Sequence, residues 1–296
     1  MTLLDITTAF DSDDRCRELL ERLRWPLGPE CPRCYTRGLA QLTSKLLYCK
    51  ECDYQFSVTA NTIFHDSHLP LLKWFVATHL ICESRKGMSA NQIKRMLGIS
   101  YKTAWYLCHR IRKAMAAAER PMMSGTVEMD ETYVGGKKRG RHWQGRRDHK
   151  ECVIGIRQRG GDVRFFHAAD AKSGTLAKYI QENISTDVDV IVTDDLRAYP
   201  KAMEDLKSKH ETVNHSAKEY VRFGTDIHTN TVESAFSLLK RGIVGTWHRI
   251  SPKHLQAYLD EMTFRFDRRK RPDLFVDTLR HMITADPLTF DQLTAA

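Results

Sequence analysis

The sequence lacks the features that would direct a protein into or across a membrane. Its N-terminus has no basic-then-apolar pattern of the signal-peptide type. The longest apolar stretch, residues 69–82, is interrupted by Lys73 and His79 and is too short to span a bilayer. We also find no internal repeat and no low-complexity tract. These absences predict a soluble, intracellular protein with no membrane partner.

What is present is a foldable and basic composition. Apolar residues make up 42% of the 296 residues, which is enough for packed cores in two or three small domains. Lys and Arg number 46 against 37 Asp and Glu, giving a formal net charge of +9. This excess favours a polyanionic partner, and nucleic acid is the usual one, although a merely basic soluble protein is the alternative.

The pattern along the chain divides it into four segments. Residues 1–28 predict a helical lead-in, and residues 29–66 are short, turn-rich and contain paired cysteines. Residues 67–120 are strongly helical. Residues 121–296 alternate strand-like and helix-like patterns, which indicates an α/β domain with a C-terminal helix.

Four cysteines in the second segment have the spacing of a metal site. Two C-x-x-C pairs are separated by fourteen residues, and each pair can place two thiolates on one tight turn. Disulfides are rare in a reducing compartment, and four thiolates suit one tetrahedral Zn²⁺ with no open position, hence a structural ion. Unrelated pairs of buried cysteines are the alternative. The predicted zinc ligands are Cys31, Cys34, Cys49 and Cys52.

Two helices in the third segment are joined by a short turn. Ser89 and Gln92 form a capping box that begins one helix, and residues 98–100 form a glycine-containing turn before the next. Helix, turn and basic helix predict a helix-turn-helix whose second helix enters the DNA major groove, with an ordinary three-helix bundle as the alternative. The predicted DNA contacts, which lie largely off the apolar face, are Lys102, Thr103 and Arg110, with the first two better placed for base contact.

Three acidic residues lie on separate elements of the last segment. Residues 125–134 alternate with period two and predict a strand that carries Asp130. Residues 187–194 predict a largely buried strand that ends in Asp194. A helix over about residues 230–241 carries Glu233.

The order of the predicted elements is three strands, helix, strand, helix, strand, helix, which matches a ribonuclease H-like mixed sheet. In that fold the first strand, the fourth strand and the last helix converge on one edge. We therefore predict a multidomain α/β chain with a small zinc ribbon, a helix-turn-helix bundle and a ribonuclease H-like catalytic domain. Any one of the three acids alone is more typical of a solvated surface.

Converging carboxylates repel one another unless cations neutralise them, and hard oxygen ligands select Mg²⁺ or Mn²⁺. Two such ions about 4 Å apart can activate a water or a 3′-hydroxyl and stabilise the leaving oxygen. Lys240 follows Glu233 by seven residues, close to two helical turns, so both project from one face. Lys240 is predicted to hold a DNA phosphate, with an ordinary surface lysine as the alternative.

A basic loop follows the first predicted catalytic strand. Half of the fourteen residues 137–150 are Lys or Arg, and glycines precede and interrupt the run. Such a loop suits gripping bent or frayed DNA, and a solvated charge run is the alternative. The predicted contacts are Lys137, Lys138, Arg139, Arg141, Trp143, Arg146 and Arg147.

Three blocks of sequence resemble the catalytic blocks of DDE insertion-sequence transposases. They are residues 127–137 (VEMDETYVGGK), residues 193–199 (TDDLRAY) and residues 228–242, which begin HTNTVE and end KRG. Residues 52–64 followed by Trp74 resemble the ribbon-to-helix segment of the bacterial branch that has an N-terminal zinc ribbon and is related to Merlin elements. The resemblance covers about residues 28 to 270.

The resemblance implies an acidic triad of Asp130, Asp194 and Glu233, with Lys240 as the associated basic residue. Asp195 is an alternative to Asp194, and the strand pattern does not decide between them.

Asn230 is an alternative to Glu233, because some members of the branch have a non-acidic third residue. The carboxylate chemistry and the seven-residue step to Lys240 favour Glu233. Glu131 is expected to be exposed or to support the ligands without binding metal.

The resemblance also implies a function. The protein would bind double-stranded DNA at the terminal inverted repeats of its element, hydrolyse a phosphodiester there and join the freed 3′-hydroxyl to target DNA. It would act as at least a dimer, in the bacterial cytoplasm and on the nucleoid. The alternatives are a catalytically inactive or domesticated DNA-binding regulator and a nuclease without strand transfer.

Overall fold

A computed structural model describes residues 1–43, 45–116, 120–135, 150–217 and 219–295. The chain divides into two compact units, one made of residues 1–116 and 268–296 and the other of residues 117–267. Among the described residues, no helix has both the length and the apolar character needed to cross a bilayer.

The first unit combines helices with a small ribbon. Its helices are α1 (Leu3–Ala9), α2 (Asp13–Arg24), α3 (Leu71–Glu83), α4 (Ala90–Leu97), α5 (Tyr101–Met115), α10 (Leu274–Thr284) and α11 (Phe290–Thr294). The ribbon consists of three antiparallel strands, β1 (Ala40–Gln41), β2 (Leu47–Cys49) and β3 (Tyr54–Phe56).

The C-terminal residues fold with this helical unit, which differs from the division drawn from the sequence pattern. Helix α10 packs against α2, α3 and α5. Its Phe275 ring lies 5.7 Å from that of Phe75 on α3, and Phe10 completes the aromatic group. Because the apolar face of α10 is covered by these helices, residues 268–296 belong to the first unit and not to the sheet domain.

The helix boundaries around the predicted turn follow local capping chemistry. Ser89 and Gln92 form the capping box of α4. Gly98 ends α4 in the left-handed conformation, with φ of +60°, which glycine adopts without strain. Ser100 then accepts the backbone N–H of Thr103 and begins α5.

The second unit is built on a five-stranded mixed sheet. Its strands are β4 (Thr126–Val134), β5 (Glu151–Gln158), β6 (Val163–Ala168), β7 (Val190–Asp194) and β8 (His210–Val213). The sheet order is β6-β5-β4-β7-β8, with the first three strands antiparallel and β7 parallel to both β4 and β8. This arrangement confirms the mixed α/β, ribonuclease H-like fold.

Helices cover both faces of the sheet. One core lies beneath α6 (Ser173–Asn183) and α7 (Tyr199–Ala202), and the other beneath α8 (Asn230–Gly242) and α9 (Pro252–Arg268). Val127 and Met129 of β4 belong to the first core and Val134 to the second. Because side chains alternate along a strand, Glu128 and Asp130 share the face that α8 covers.

Candidate active site and zinc centre

The four ribbon cysteines converge on one point. Their sulfur atoms all lie within 4.8 Å of one another. Cys31 Sγ and Cys52 Sγ are 3.5 Å apart, as are Cys34 Sγ and Cys49 Sγ. A disulfide would require about 2.05 Å, whereas four sulfurs at 2.3 Å from one Zn²⁺ would lie about 3.8 Å apart. The donor set therefore fits a structural zinc ion.

The pKa values of two of these thiols are shifted in opposite directions. Hydrogen bonding with the side chain and backbone of Thr36 lowers the pKa of Cys34 to about 6. Burial and the neighbouring sulfurs raise the pKa of Cys52. Cys31 and Cys49 are buried whereas Cys34 is exposed, and a bound divalent cation would stabilise the deprotonated form of all four sulfurs.

A second group of potential ligands lies on the sheet of the other unit. Carboxylate oxygens of Asp130, Glu131 and Asp194 all lie within 4.8 Å of one another. Asp130 is the central residue of β4, and Asp194 is the last residue of the adjacent parallel strand β7. The parallel register pairs Glu128 with Val192, and Asp130 and Asp194 each lie two residues further along their strands.

Burial and mutual repulsion disfavour the charged forms of all three acids. Burial, followed by the charges of Glu131 and Asp194, raises the pKa of Asp130 to about 8. Burial and Asp194 raise the pKa of Glu131. Burial also raises the pKa of Asp194, although the Leu196 N–H and the nearby His215 oppose that shift. This donor set fits a hard divalent cation, which would stabilise the carboxylates.

Helix α8 brings further charged groups to the same place. A cavity of about 620 Å³ is lined by Asp130, Glu131, Glu233 and Lys240. Asp194 belongs to the same site, because its carboxylate oxygen lies within 4.8 Å of those of Asp130 and Glu131. Glu233 and Lys240 thus project from one face of α8, on the side where Asp130 lies.

Glu233 is held in place by two neighbours. Its Oε1 accepts a hydrogen bond from the Thr229 hydroxyl at 3.0 Å and lies 3.0 Å from Nε2 of His215. His215 Nε2 is also 3.0 Å from the Thr229 hydroxyl. These contacts fix one carboxylate oxygen of Glu233.

Comparison with known proteins identifies the family. Residues 122–267 match the ISXO2-like transposase domain, and residues 11–55 match the transposase zinc-ribbon domain. The chain is 32% identical over 289 residues to the "Uncharacterized protein in transposable element ISH50" of Halobacterium salinarum, covering 89% of this chain and 94% of that protein.

The chain belongs to the ISXO2-like transposase family.

Membership makes the second unit a transposase domain and the cysteine cluster a transposase zinc ribbon. It confirms the resemblance drawn from the three sequence blocks. A DNA-binding, metal-dependent enzyme is the class of protein that this family and the acidic group together indicate.

The two alternative residues, Asp195 and Asn230, lie in different surroundings from the central acidic group. Asp195 is exposed, and its carboxylate accepts a hydrogen bond from the Asn214 amide at 3.1 Å. Asn230 is exposed at the first position of α8, whereas Glu233 lines the cavity. The geometry therefore brings Asp194 and Glu233 towards Asp130 in preference to their sequence neighbours.

The predicted DNA contacts on α5 separate into two kinds. Lys102 and Thr103 are exposed, and the Lys102 ammonium lies 4.3 Å from the centre of the Phe290 ring. Arg110 is only 3% exposed, so the expectation that it faces DNA is wrong. Its guanidinium donates to the His65 carbonyl and lies 5.0 Å from the Trp74 ring. It is a packing residue, because elements on several sides cover α5.

The DNA contacts predicted on the basic loop lie outside the described residues. They are Lys137, Lys138, Arg139, Arg141, Trp143, Arg146 and Arg147.

Sequence reasoning missed several residues of this site. Glu131, which the sequence predicted to be exposed or to support the ligands, is half-buried and belongs to the tight acidic group. The Tyr199 hydroxyl donates to Glu131 at 3.0 Å, and burial with nearby acids raises the pKa of Tyr199 well above its usual value. His215 lies in a short 3₁₀ turn between β8 and α8, and no local sequence signal points to its contact with Glu233.

Proposed function

We propose that this chain is a DNA transposase that hydrolyses phosphodiester bonds at the ends of its element and transfers the freed 3′-hydroxyl into target DNA. Asp130, Asp194 and Glu233 would hold two divalent ions, Mg²⁺ or Mn²⁺. The observation that carries the proposal is the convergence of Asp130 and Asp194 from adjacent strands with Glu233 and Lys240 beside Asp130.

The residues around the cavity would divide the work of phosphoryl transfer. When bound, divalent ions supply charge neutralisation and an activated oxygen nucleophile. Lys240 is exposed beside the cavity and would hold a DNA phosphate oxygen. His215 and Thr229 would keep Glu233 directed by occupying its Oε1. Tyr199 would do the same for Glu131.

The first unit would recognise the DNA. Lys102 and Thr103, exposed at the start of α5, are the proposed contacts to base edges of the inverted repeats. One Zn²⁺ on the four cysteines would hold the ribbon in shape. Double-stranded element ends and target DNA are the proposed partners, with at least two copies of the chain acting together, because two ends must be joined in concert.

Nicking and strand transfer on DNA that carries the element ends test the proposal. The purified protein with Mg²⁺ or Mn²⁺ should cut at the element end and join the 3′-hydroxyl to a target plasmid. Asp130→Asn and Asp194→Asn should each abolish both products. Asp195→Asn is the matched control, because that carboxylate is exposed, and it should retain activity.

Variants of the remaining acids identify the third metal ligand. Glu233→Gln should remove nicking while Asn230→Ala retains it, and Glu131→Gln shows whether that carboxylate takes part. Full activity in Asp130→Asn would refute the metal assignment. Nicking without joined products would show a nuclease, and end binding without nicking would show a DNA-binding regulator.

A further inference from the structure

A buried glutamate connects β4 and α8, two of the three elements that carry the proposed ligands. Glu128 lies two residues before Asp130 on β4, shares its face and is completely buried. Its Oε2 accepts the backbone N–H groups of Thr231 and Val232, both at 2.9 Å. Its Oε1 accepts Nε of Arg159, also at 2.9 Å.

The two N–H groups belong to the first turn of α8. Thr231 and Val232 are its second and third residues, and N–H groups at a helix start have no acceptor within the helix. The hydroxyl of the N-cap residue, Thr229, donates to Glu233 instead of accepting from that turn. Glu128 therefore caps α8 from the neighbouring strand, and its charge complements the positive end of the helix dipole.

Arg159 extends the connection to the segment that leads into α8. Its Nη1 donates to the Asp226 carbonyl at 2.7 Å, and its Nη2 donates to the His228 carbonyl at 3.1 Å. The same guanidinium that neutralises Glu128 thus holds the backbone before the helix. Glu128 on β4 thus binds the first turn of α8 directly and, through Arg159, the segment that precedes the helix.

We propose that Glu128 is a positioning residue that sets α8 against β4 and so holds Glu233 and Lys240 at the right distance from Asp130. Glu233 directly follows Val232, so a shift of the capped turn moves its carboxylate relative to Asp130. The inference rests on the proposed function of the acidic site. The geometry of the metal ligands would then depend on Glu128, a residue that touches neither metal nor DNA.

Glu128→Gln tests this role. The Gln side chain has nearly the same volume, but its NH₂ group replaces one accepting oxygen. That NH₂ donor would then face either the N–H groups of the helix or the guanidinium of Arg159. Direct calorimetric titration with Mn²⁺, without DNA, should show affinity lowered by about 10- to 100-fold, as for other residues that orient metal ligands. The dissociation constant for element-end DNA, measured without metal, should not change.

Glu261→Gln is the matched control. Glu261 is equally buried in the same unit and lies 3.2 Å from Arg265, but both residues are on α9. Both variants should lower the unfolding temperature, and only Glu128→Gln should weaken Mn²⁺ binding. Equal Mn²⁺ affinity in the wild type and in Glu128→Gln would overturn the inference, and so would an equal loss of affinity in both variants.

A second variant covers the case in which Glu128→Gln does not fold. Arg159→Lys keeps the positive charge but loses the guanidinium fork that reaches the two carbonyls. It should weaken Mn²⁺ binding about threefold or more, and unchanged affinity in this variant would overturn the inference. Wild-type protein that binds Mn²⁺ but never nicks DNA would refute the proposed function alone. A nicking wild type with an unaffected Glu128→Gln would refute this inference alone.

Discussion

A close approach between helix α8 and the sheet provides a sharp test of how the active site is built. Gly155 lies on β5 directly opposite Asp130. A Cβ added at Gly155 would lie 2.5 Å from Cζ of Phe236 and within 3.2 Å of two more atoms of that ring. Ordinary carbon contacts are about 3.5–4.0 Å, so the ring must retreat by about 1 Å or more.

Gly155→Ala should therefore disturb α8, because Phe236 follows Glu233 by three residues on that helix. Overpacking of this kind costs about 1–3 kcal/mol of unfolding free energy. A displacement of about 1 Å at reacting groups can lower the rate by roughly 100-fold. Urea denaturation measures the first effect, and single-turnover nicking at saturating metal measures the second.

Two further variants separate this effect from a general response to alanine. Gly174→Ala on α6 has nothing within 4 Å of the added Cβ and should leave stability and nicking nearly unchanged. Phe236→Leu introduced with Gly155→Ala should restore part of the rate, which gives a coupling free energy in a double-mutant cycle. Wild-type stability and nicking in Gly155→Ala would show that the contact does not set the position of α8.

Further predictions concern protonation, zinc and DNA. Since the pKa of Asp130 rises from 3.8 to about 8 on folding, the metal-free protein should lose stability as pH rises across that interval, by up to about 6 kcal/mol. Asp130→Asn should flatten this part of the pH–stability curve, and Mn²⁺ affinity measured by calorimetry should increase with pH because binding displaces the proton. Cys34→Ser should reduce bound zinc, measured by mass spectrometry, and destabilise the ribbon; a full zinc content would contradict the four-sulfur site. Lys102→Ala should weaken end binding and lower its salt dependence by about one charge without changing the unfolding temperature. Arg110→Ala should lower the unfolding temperature instead, because its guanidinium is buried, and the reverse pattern would contradict both placements.

Features encoded by local chemistry were predictable from the sequence. Period-two alternation predicted the strand that carries Asp130, and helical spacing placed Glu233 and Lys240 on one face. The spacing of the cysteines predicted the ribbon that the structure and the family comparison confirm. These predictions succeeded because helix and strand geometry fixes which residues within one element share a side.

Other features depend on residues that are distant in sequence. Alternation along β4 does not show that Glu131 joins the acidic group, and no local pattern brings His215 to Glu233. The amphipathic pattern of α5 identified one buried face but not the burial of Arg110. Periodicity shows which face of an element is apolar, whereas the elements packed against its other faces are decided by the whole chain.

The sequence by itself thus determined the ribbon, the capped helices and the order of strands and helices that positions the three proposed ligands. Only the tertiary structure decided that residues 268–296 return to the first unit and that Glu128 caps α8 from β4. The physical reason is that caps, turns and periodicity act over a few residues. A hydrogen bond between residues 128 and 231, by contrast, exists only once the sheet and the helix have come together.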